Sequence, residues 1–220
     1  MLRVSLALIF TAIPKDRETR NNVLTIRSNV MKVVAFNGSP RKEGNTRDAI
    51  NIVFEELKKE GIETEFLQLG GADIRGCRAC YKCFELKNSS CIQKDDLNGF
   101  VEKMISADGI IIGSPTYFAN VSTEVKALID RAGLVARAND HLFKRKVGTA
   151  VVSFRRAGGT DAYSSINYFF GISHMIIPGS SYWSIGQGRN PGEVLKDEEG
   201  VTTFRNLGEN MAWLLKKIHA

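Results

Sequence analysis

From residue 31 onward, short apolar runs typical of strands alternate with amphipathic stretches typical of helices. The predicted strands are Lys32–Asn37, Ile62–Leu69, Gly109–Gly113, Val147–Phe154 and Met175–Pro178. The predicted helices are Thr46–Glu60, Asp95–Ser106, Ser122–Arg137, Asp161–Gly171 and Thr203–Lys217. Gly109–Gly113 is apolar throughout, as expected of a parallel strand covered on both faces. The alternation therefore predicts an α/β domain with a doubly wound, five-stranded parallel sheet and helices on both faces.

The length of the chain, 220 residues, suits one such domain with a core that needs no disulfides. We expect residues 31–220 to form this domain. Residues 1–30 are predicted to be an N-terminal extension, either loosely attached or not native, with Met31 as the true start. The apolar stretch 2–13 lacks a following small-x-small cleavage pattern and is shorter than the ~20 residues of a membrane span. The protein is therefore expected to be cytoplasmic, with no membrane partner.

The charge of the chain is mildly basic, with a formal net charge of +6. Half of that charge lies in residues 1–30, so the predicted domain has only a small excess of basic residues. A nucleic-acid surface would need basic residues clustered on one face. The balance therefore argues against a nucleic-acid partner and favours phosphorylated cofactors as the anions that the protein binds.

All four cysteines fall within fifteen residues, in the segment 76–92: Cys77, Cys80, Cys83 and Cys91. Three thiols at C-x2-C-x2-C spacing suit one tight turn around an inorganic cluster, and the fourth closes it. Zinc sites with four thiolates usually use two separated C-x2-C pairs, which this segment lacks. Iron and sulfide are therefore favoured, and clustered thiols also indicate a reducing compartment. The alternative is a site without a cluster, whose thiols are buried or sensitive to oxidation.

Ligands of doubly wound sheets bind beyond the carboxyl ends of the strands, so the loops after the first, third and fourth strands are the candidate binding loops. The first reads Asn37-Gly-Ser-Pro-Arg-Lys-Glu-Gly-Asn-Thr46 and leads directly into a helix. Two glycines, three polar side chains, an arginine and a helix N-terminus predict a phosphate-binding loop. It matches neither the nucleotide-triphosphatase loop nor the G-x-G-x-x-G fingerprint. An ordinary Gly-Pro turn with a helix cap is the alternative.

Three motifs in the same order resemble the NADPH-dependent FMN reductase superfamily and, more narrowly, the iron-sulfur flavoproteins. They are G-S-P-R-x-x-G-N-T after the first strand, the compact cysteine motif, and G-S-P-T-Y after the third strand. The resemblance covers residues 31 to about 218. It implies a flavodoxin-like fold, FMN at the strand ends, a 4Fe-4S cluster on the four cysteines, and a homodimer or homotetramer in which one subunit's cluster approaches a neighbour's flavin.

The resemblance also implies which residues hold the cofactor. The phosphate of FMN is expected on Ser39, Arg41, Asn45 and Thr46. The isoalloxazine ring is expected against Pro115, Thr116, Tyr117, Phe118 and Asn120, with Ser153, Gly158 and Gly159 at the ring edge. Arg155 and Arg156 are ambiguous: they suit an anionic reduced flavin or the phosphates of NAD(P)H, but two arginines in a loop more often form a solvated surface.

The predicted function is that of a flavoprotein oxidoreductase that passes electrons from ferredoxin or NAD(P)H to a small acceptor. The chemistry is expected to lie on FMN and the cluster, so no catalytic side chain is assigned. One alternative is an NAD(P)H-dependent FMN or quinone reductase whose cysteines hold no cluster. The other is a non-enzymatic electron carrier or redox sensor.

Overall fold

The computed structural model describes residues 30–219. From Met31 onward, these residues belong to one compact unit, Met31–Ala220. Apart from Val30, the predicted extension 1–30 lies outside the described residues. In the part of the chain that is described, no helix is both long enough and apolar enough to cross a membrane.

One parallel sheet of five strands organises this unit. Its strands are β1 (Lys32–Asn37), β2 (Glu63–Gln68), β3 (Gly109–Pro115), β4 (Val147–Phe154) and β5 (Ile185–Gln187). Their order is β2-β1-β3-β4-β5, and every neighbouring pair is parallel. The winding direction reverses between β1 and β3, which opens a crevice at the carboxyl ends of these strands. The predicted doubly wound α/β fold is confirmed.

Helices cover both faces of the sheet. They are α1 (Asn45–Lys59), α2 (Lys82–Leu86), α3 (Leu97–Ser106), α4 (Thr123–Ala138), α5 (Gly159–Ile172) and α6 (Glu198–Ile218), with a 3-10 helix at Glu193–Lys196. Ile110 and Ile112 of β3 pack into one core with residues of α3, α4 and α5, whereas Ile111 packs into the other core with α1 and α6. Successive strand residues point to opposite faces, which is why the part of this central strand from Gly109 to Gly113 is apolar at every position.

The predicted fifth strand, Met175–Pro178, is wrong. Ile176 forms only an isolated bridge with Val147, and the strand is Ile185–Gln187, paired with Val152–Phe154. Pro178 has no N–H group with which to continue the ladder, so the chain leaves the sheet there. It returns at the other end of β4, where β5 completes the sheet.

The last helix starts five residues earlier than predicted, at Glu198 instead of Thr203. The carboxylate of Asp197 caps it by accepting a hydrogen bond from the N–H of Gly200 at 3.0 Å. An aspartate at this position satisfies an N–H group that has no partner within the helix. The short helix α2, inside the cysteine segment, was not predicted.

Candidate functional site

A cavity of about 410 Å³ lies at the carboxyl ends of β1, β3 and β4. It is lined by Ser39, Arg41, Gly44, Asn45, Thr46, Pro115, Thr116, Tyr117, Ser153, Phe154, Arg155, Gly188 and Arg189. Eight of these residues were predicted as flavin contacts from three segments that are far apart in the sequence. The fold brings them together because parallel strands deliver their following loops to one edge of the sheet.

The loop after β1 is held in a defined shape by its own side chains. The Oδ1 atom of Asn37 accepts a hydrogen bond from the N–H of Ser39 at 3.2 Å, and the hydroxyl of Ser39 accepts one from the N–H of Arg41 at 3.2 Å. Helix α1 follows at once, and no side chain caps its N-terminus at Gly44. The first N–H groups of a helix have no intrahelical partner and favour anions. This end of the cavity therefore suits a phosphate group.

Two hydroxyl groups join the loop after β1 to the end of β4. The Oγ1 atom of Thr46 and the Oγ atom of Ser153 are 2.6 Å apart, and both residues are buried. A third hydroxyl, Oγ1 of Thr116, is buried and has no hydrogen-bond partner in the part of the chain that the structure describes. Buried polar atoms normally have a partner, so an orphaned hydroxyl at a cavity wall fits a polar ligand. The cavity thus fits FMN, whose phosphate and ring edge both need such groups.

Four predicted flavin contacts do not line the cavity: Phe118, Asn120, Gly158 and Gly159. The side chain of Phe118 is fully exposed. The Oδ1 atom of Asn120 accepts hydrogen bonds from the N–H of Val121 at 2.8 Å and from the hydroxyl of Ser165 at 3.2 Å. Gly158 has a positive φ of 79°, and a Cβ there would lie 2.7 Å from Cα of Ala119. Asn120 and Gly158 thus shape the loop after β3 in this structure, and the contact of all four residues with a flavin stays a prediction.

Some cavity residues were missed from the sequence. Gly188 and Arg189 follow β5. Ligands bind beyond the carboxyl ends of parallel strands, so a correct prediction of the fifth strand would have included this loop among the candidates. A Cβ at Gly188 would lie 2.7 Å from Nδ2 of Asn45. Gln68 supports the site from behind, because its Nε2 atom donates to the carbonyl of Ser39 at 2.7 Å. A glutamine at the end of a strand has no distinguishing signal in the sequence.

The four cysteines, all free thiols, line a second and much smaller cavity of about 20 Å³. Cys77 and Cys80 are exposed, whereas Cys83 and Cys91 are half-buried. Among residues 30–219, no three His, Cys, Asp or Glu side chains converge closely enough to hold a single metal ion. A cluster bonds its cysteines through several irons, so its ligands need not share one centre. Four thiols around one cavity are the ligand type that an iron-sulfur cluster uses.

The backbone of the cysteine segment is unusual. Ala79, Tyr81, Lys87 and Ser89 have positive φ angles of 51°, 54°, 46° and 60°. Non-glycine residues seldom adopt this region, and where they do, they often shape a ligand clamp. The N–H of Ala79 donates to Sγ of Cys77 at 3.4 Å. The backbone of the segment thus turns several times between the first and the last cysteine, and one of its N–H groups bonds to a cysteine sulfur.

Two ionisable groups at the cysteine segment have shifted pKa values. Burial raises the pKa of the Cys83 thiol, because the thiolate is less well solvated there. Burial also pushes the pKa of Asp95 upward, but hydrogen bonds from Arg131 and from the N–H of Arg75 outweigh it, and the pKa is lowered. Asp95 is therefore a carboxylate, paired with a buried guanidinium directly behind the cysteines.

Comparison with known proteins gives consistent results. The family described as NADPH-dependent FMN reductase matches residues 31–190. An iron-sulfur flavoprotein of Methanocaldococcus jannaschii is 38% identical over 194 residues, which span 86% of this chain and 99% of that protein.

Two solved structures show the same fold. RosB with a bound riboflavin-phosphate intermediate has a TM-score of 0.67 at 18% identity, over 86% of this chain and 80% of its own. The NAD(P)H:quinone oxidoreductase of Methanothermobacter marburgensis has a TM-score of 0.61 at 15% identity, over 83% of this chain and 97% of its own. At such identities the likeness supports the fold alone. The family match and the close relative confirm the resemblance predicted from the three motifs: the chain belongs to the iron-sulfur flavoproteins of the NADPH-dependent FMN reductase family and is a flavin-dependent oxidoreductase.

Proposed function

We propose that the protein holds FMN in the larger cavity and a 4Fe-4S cluster on Cys77, Cys80, Cys83 and Cys91, and moves electrons from a reduced donor to a small acceptor. The observation that supports the cluster most directly is that all four thiols line one cavity while none is paired in a disulfide. When bound, the cluster exchanges single electrons and FMN exchanges one or two. The donor is proposed to be ferredoxin or NAD(P)H, in a reducing, cytoplasmic compartment.

The protein's own residues bind, orient and shield the cofactors. Ser39, Arg41 and the N-terminus of α1 are proposed to bind the phosphate of FMN. Tyr117 and Pro115 are proposed to wall the ring, and Thr116 to donate or accept a hydrogen bond at its edge. No side chain is assigned a proton transfer. The rate of electron transfer is therefore expected to depend on how the protein binds and orients the cofactors.

The test is cofactor analysis of protein purified without air. We expect about four iron and four sulfide per chain for one cluster, together with bound FMN. Cys91→Ser should lose iron and keep FMN, whereas Ser90→Ala, a neighbour in the same loop, should keep both. Flavin with neither iron nor sulfide in the wild-type protein would refute the cluster.

The second candidate is an NAD(P)H-dependent FMN or quinone reductase that works without a cluster. A cavity of about 460 Å³ adjoins the flavin cavity and is lined in part by Arg155, Arg189 and Lys196. Its two carboxylates are already engaged by backbone N–H groups: Glu193 accepts from Arg189 at 2.8 Å and Asp197 from Gln187 at 2.7 Å. Three cations against two carboxylates leave this lining with one excess positive charge, which suits a phosphate of a dinucleotide.

Reduction kinetics separate the candidates. Rapid bleaching of the flavin by NADPH in protein that holds no iron favours the cluster-free reductase, and bleaching by reduced ferredoxin alone favours the iron-sulfur electron-transfer enzyme. Absence of turnover with either donor favours a carrier or redox sensor.

We also propose that the protein forms a homodimer or homotetramer. An apolar groove of about 430 Å³ lies between α4 and α5, where Tyr168 and Ile172 are well exposed. Exposed apolar surface of this kind is typical of contact sites. Light scattering that reports the mass of a single chain at micromolar concentration would contradict the proposal.

A further inference from the structure

Arg131 is a buried cation behind the cysteine segment. It lies on α4, and only 1% of its side chain is exposed. Its guanidinium is paired with Asp95, which is equally buried, and Nη2 donates to Oδ1 at 3.0 Å. Charged side chains are seldom buried to this extent, and a buried ion pair is weak evidence for stability as such. The position of this pair therefore calls for a reason other than packing.

The same guanidinium reaches both arms of the cysteine segment. Nη2 of Arg131 donates to Sγ of Cys91 at 3.2 Å, and Nη1 donates to the carbonyl of Arg75 at 3.0 Å. Asp95 in turn accepts from the N–H of Arg75 at 3.2 Å. One ion pair thus joins the residue that leads into the segment to the cysteine that closes it.

Cys91 is held by its backbone as well as by its sulfur. The Oδ1 atom of Asn98 accepts from the N–H of Cys91 at 2.8 Å, and Nδ2 of Asn98 donates to its carbonyl at 2.9 Å. Asn98 lies on α3 and Arg131 on α4, so two helices of the rigid core fix this cysteine. Cys77 and Cys80, by contrast, are exposed on the loop. Cys91 is therefore held more firmly than the two exposed cysteines.

One donor of the buried guanidinium, Nε–H of Arg131, has no hydrogen-bond partner among residues 30–219. Buried donors usually find an acceptor, and arginine presents its five N–H groups in a fixed fork. The cavity lined by the thiols therefore has a buried guanidinium, paired with Asp95, among its lining residues.

We propose that Arg131 is a positioning residue for the iron-sulfur centre: it orients Cys91 and stabilises the reduced cluster through its charge and its N–H to sulfur bond. This inference rests on the proposed function. Partners of metal ligands orient those ligands, and hydrogen bonds to sulfur help to set the potential of iron-sulfur clusters. Asp95 holds the guanidinium in place, so the two residues act as a unit.

The test compares Arg131→Gln with Arg205→Gln, which removes an exposed arginine of α6, a helix on the other face of the sheet. Arg131→Gln should lose its cluster absorbance to a ferrous chelator about tenfold faster than wild type, by analogy with other partners of metal ligands. At a fixed potential, the ratio of reduced to oxidised cluster should fall about tenfold, which is ~59 mV for one electron. FMN content should be unchanged, and Arg205→Gln should match wild type in every measurement.

If Arg131→Gln does not fold, the double variant Asp95→Asn/Arg131→Gln takes its place, because it removes both charges of the buried pair and leaves the net charge behind the cluster unchanged. It should still lose its cluster to the chelator faster than wild type because the N–H to sulfur bond is gone, whereas its potential should fall by less than the charge-changing variant predicts. Equal chelation rates and equal potentials in the variant and the control would overturn the role of Arg131 while leaving the cluster in place. Wild-type protein with FMN and no iron would instead overturn the proposed function, and this inference with it.

Discussion

Arg41 brings a full positive charge to a cavity whose other proposed phosphate ligands, Ser39, Asn45 and Thr46, are neutral and largely buried. Its Nη1 atom donates to the carbonyl of Arg189 at 3.3 Å, which directs the guanidinium toward the loop after β5. The neutral groups are held by each other and by the backbone, so they define the shape of the loop. Arg41 is exposed and is proposed to contribute mainly through its charge.

We therefore predict that Arg41→Gln weakens the binding of FMN about tenfold, because a charge-assisted bond to phosphate is worth roughly 1.5–3 kcal/mol. Binding of riboflavin, which has no phosphate, should change little. Flavin fluorescence titration of the apoprotein measures both constants, and the difference should shrink at high salt. Lys42→Gln, the removal of a neighbouring exposed cation, is the control. Equal losses for FMN and riboflavin would place Arg41 elsewhere than at the phosphate.

At the scale of elements, the loops that follow β1 and β2 are packed backbone against backbone. The N–H of Gly70 donates to the carbonyl of Asn37 at 2.8 Å. A Cβ on Gly70 would lie 2.3 Å from the carbonyl carbon and oxygen of Ser39. Glycine is required at position 70 because the backbone of the loop after β1 occupies the space that a side chain would need. The end of β2 thus supports the flavin cavity from outside its lining.

We predict that Gly70→Ala lowers the free energy of unfolding by about 1–3 kcal/mol, the usual cost of an overpacked site, and weakens FMN binding by displacing Ser39. Denaturant unfolding of the flavin-free protein and a flavin titration measure the two effects. Gly99→Ala is the control: it lies exposed in α3 with no atom within 4 Å of a Cβ. In a helix this change should add roughly 0.5–1 kcal/mol. A Gly70→Ala protein as stable as wild type would mean that the two loops are not in contact.

At the scale of the whole molecule, two apolar cores share one sheet, one on each face. Their buried members run from Val33 to Leu215, with strands β1, β3 and β4 contributing to both. The two candidate sites lie at the edges of this unit. The larger cavity is at the carboxyl ends of the strands, and the cysteine cavity is beside α4. We propose that residues 31–220 form a self-sufficient domain and that residues 1–30 are an extension to it.

A chain that starts at Met31 is therefore expected to fold, with a Tm within about 2 °C of the full-length chain, since a loss of 1 kcal/mol in a domain of this size lowers Tm by roughly 2–4 °C. Its affinity for FMN should also be unchanged. Differential scanning calorimetry and flavin titration of the two proteins side by side are the measurements. Aggregation of the shorter chain, or a markedly lower Tm, would show that residues 1–30 belong to the fold.

The amino-acid sequence by itself determined the order of the strands and of the longer helices up to β4, the glycine-containing turn after β1 and the clustering of the cysteines. Those features are written in local patterns: the period of apolar residues, a glycine-rich strand-to-helix turn and the spacing of four thiols. The eight predicted residues that share one cavity follow from one further rule, that parallel strands bring their loops to one edge.

Only the tertiary structure decided the position of β5, the part played by Gly188 and the pairing of Arg131 with Cys91. Ile176 and Ile185 are equally suited to a strand, and the choice between them depends on which end of β4 is open. Arg131 is an ordinary residue of an amphipathic helix until α4 packs behind the cysteine segment, 40 residues away in the chain. Contacts at such separations are set by packing of the whole core, and no local pattern records them.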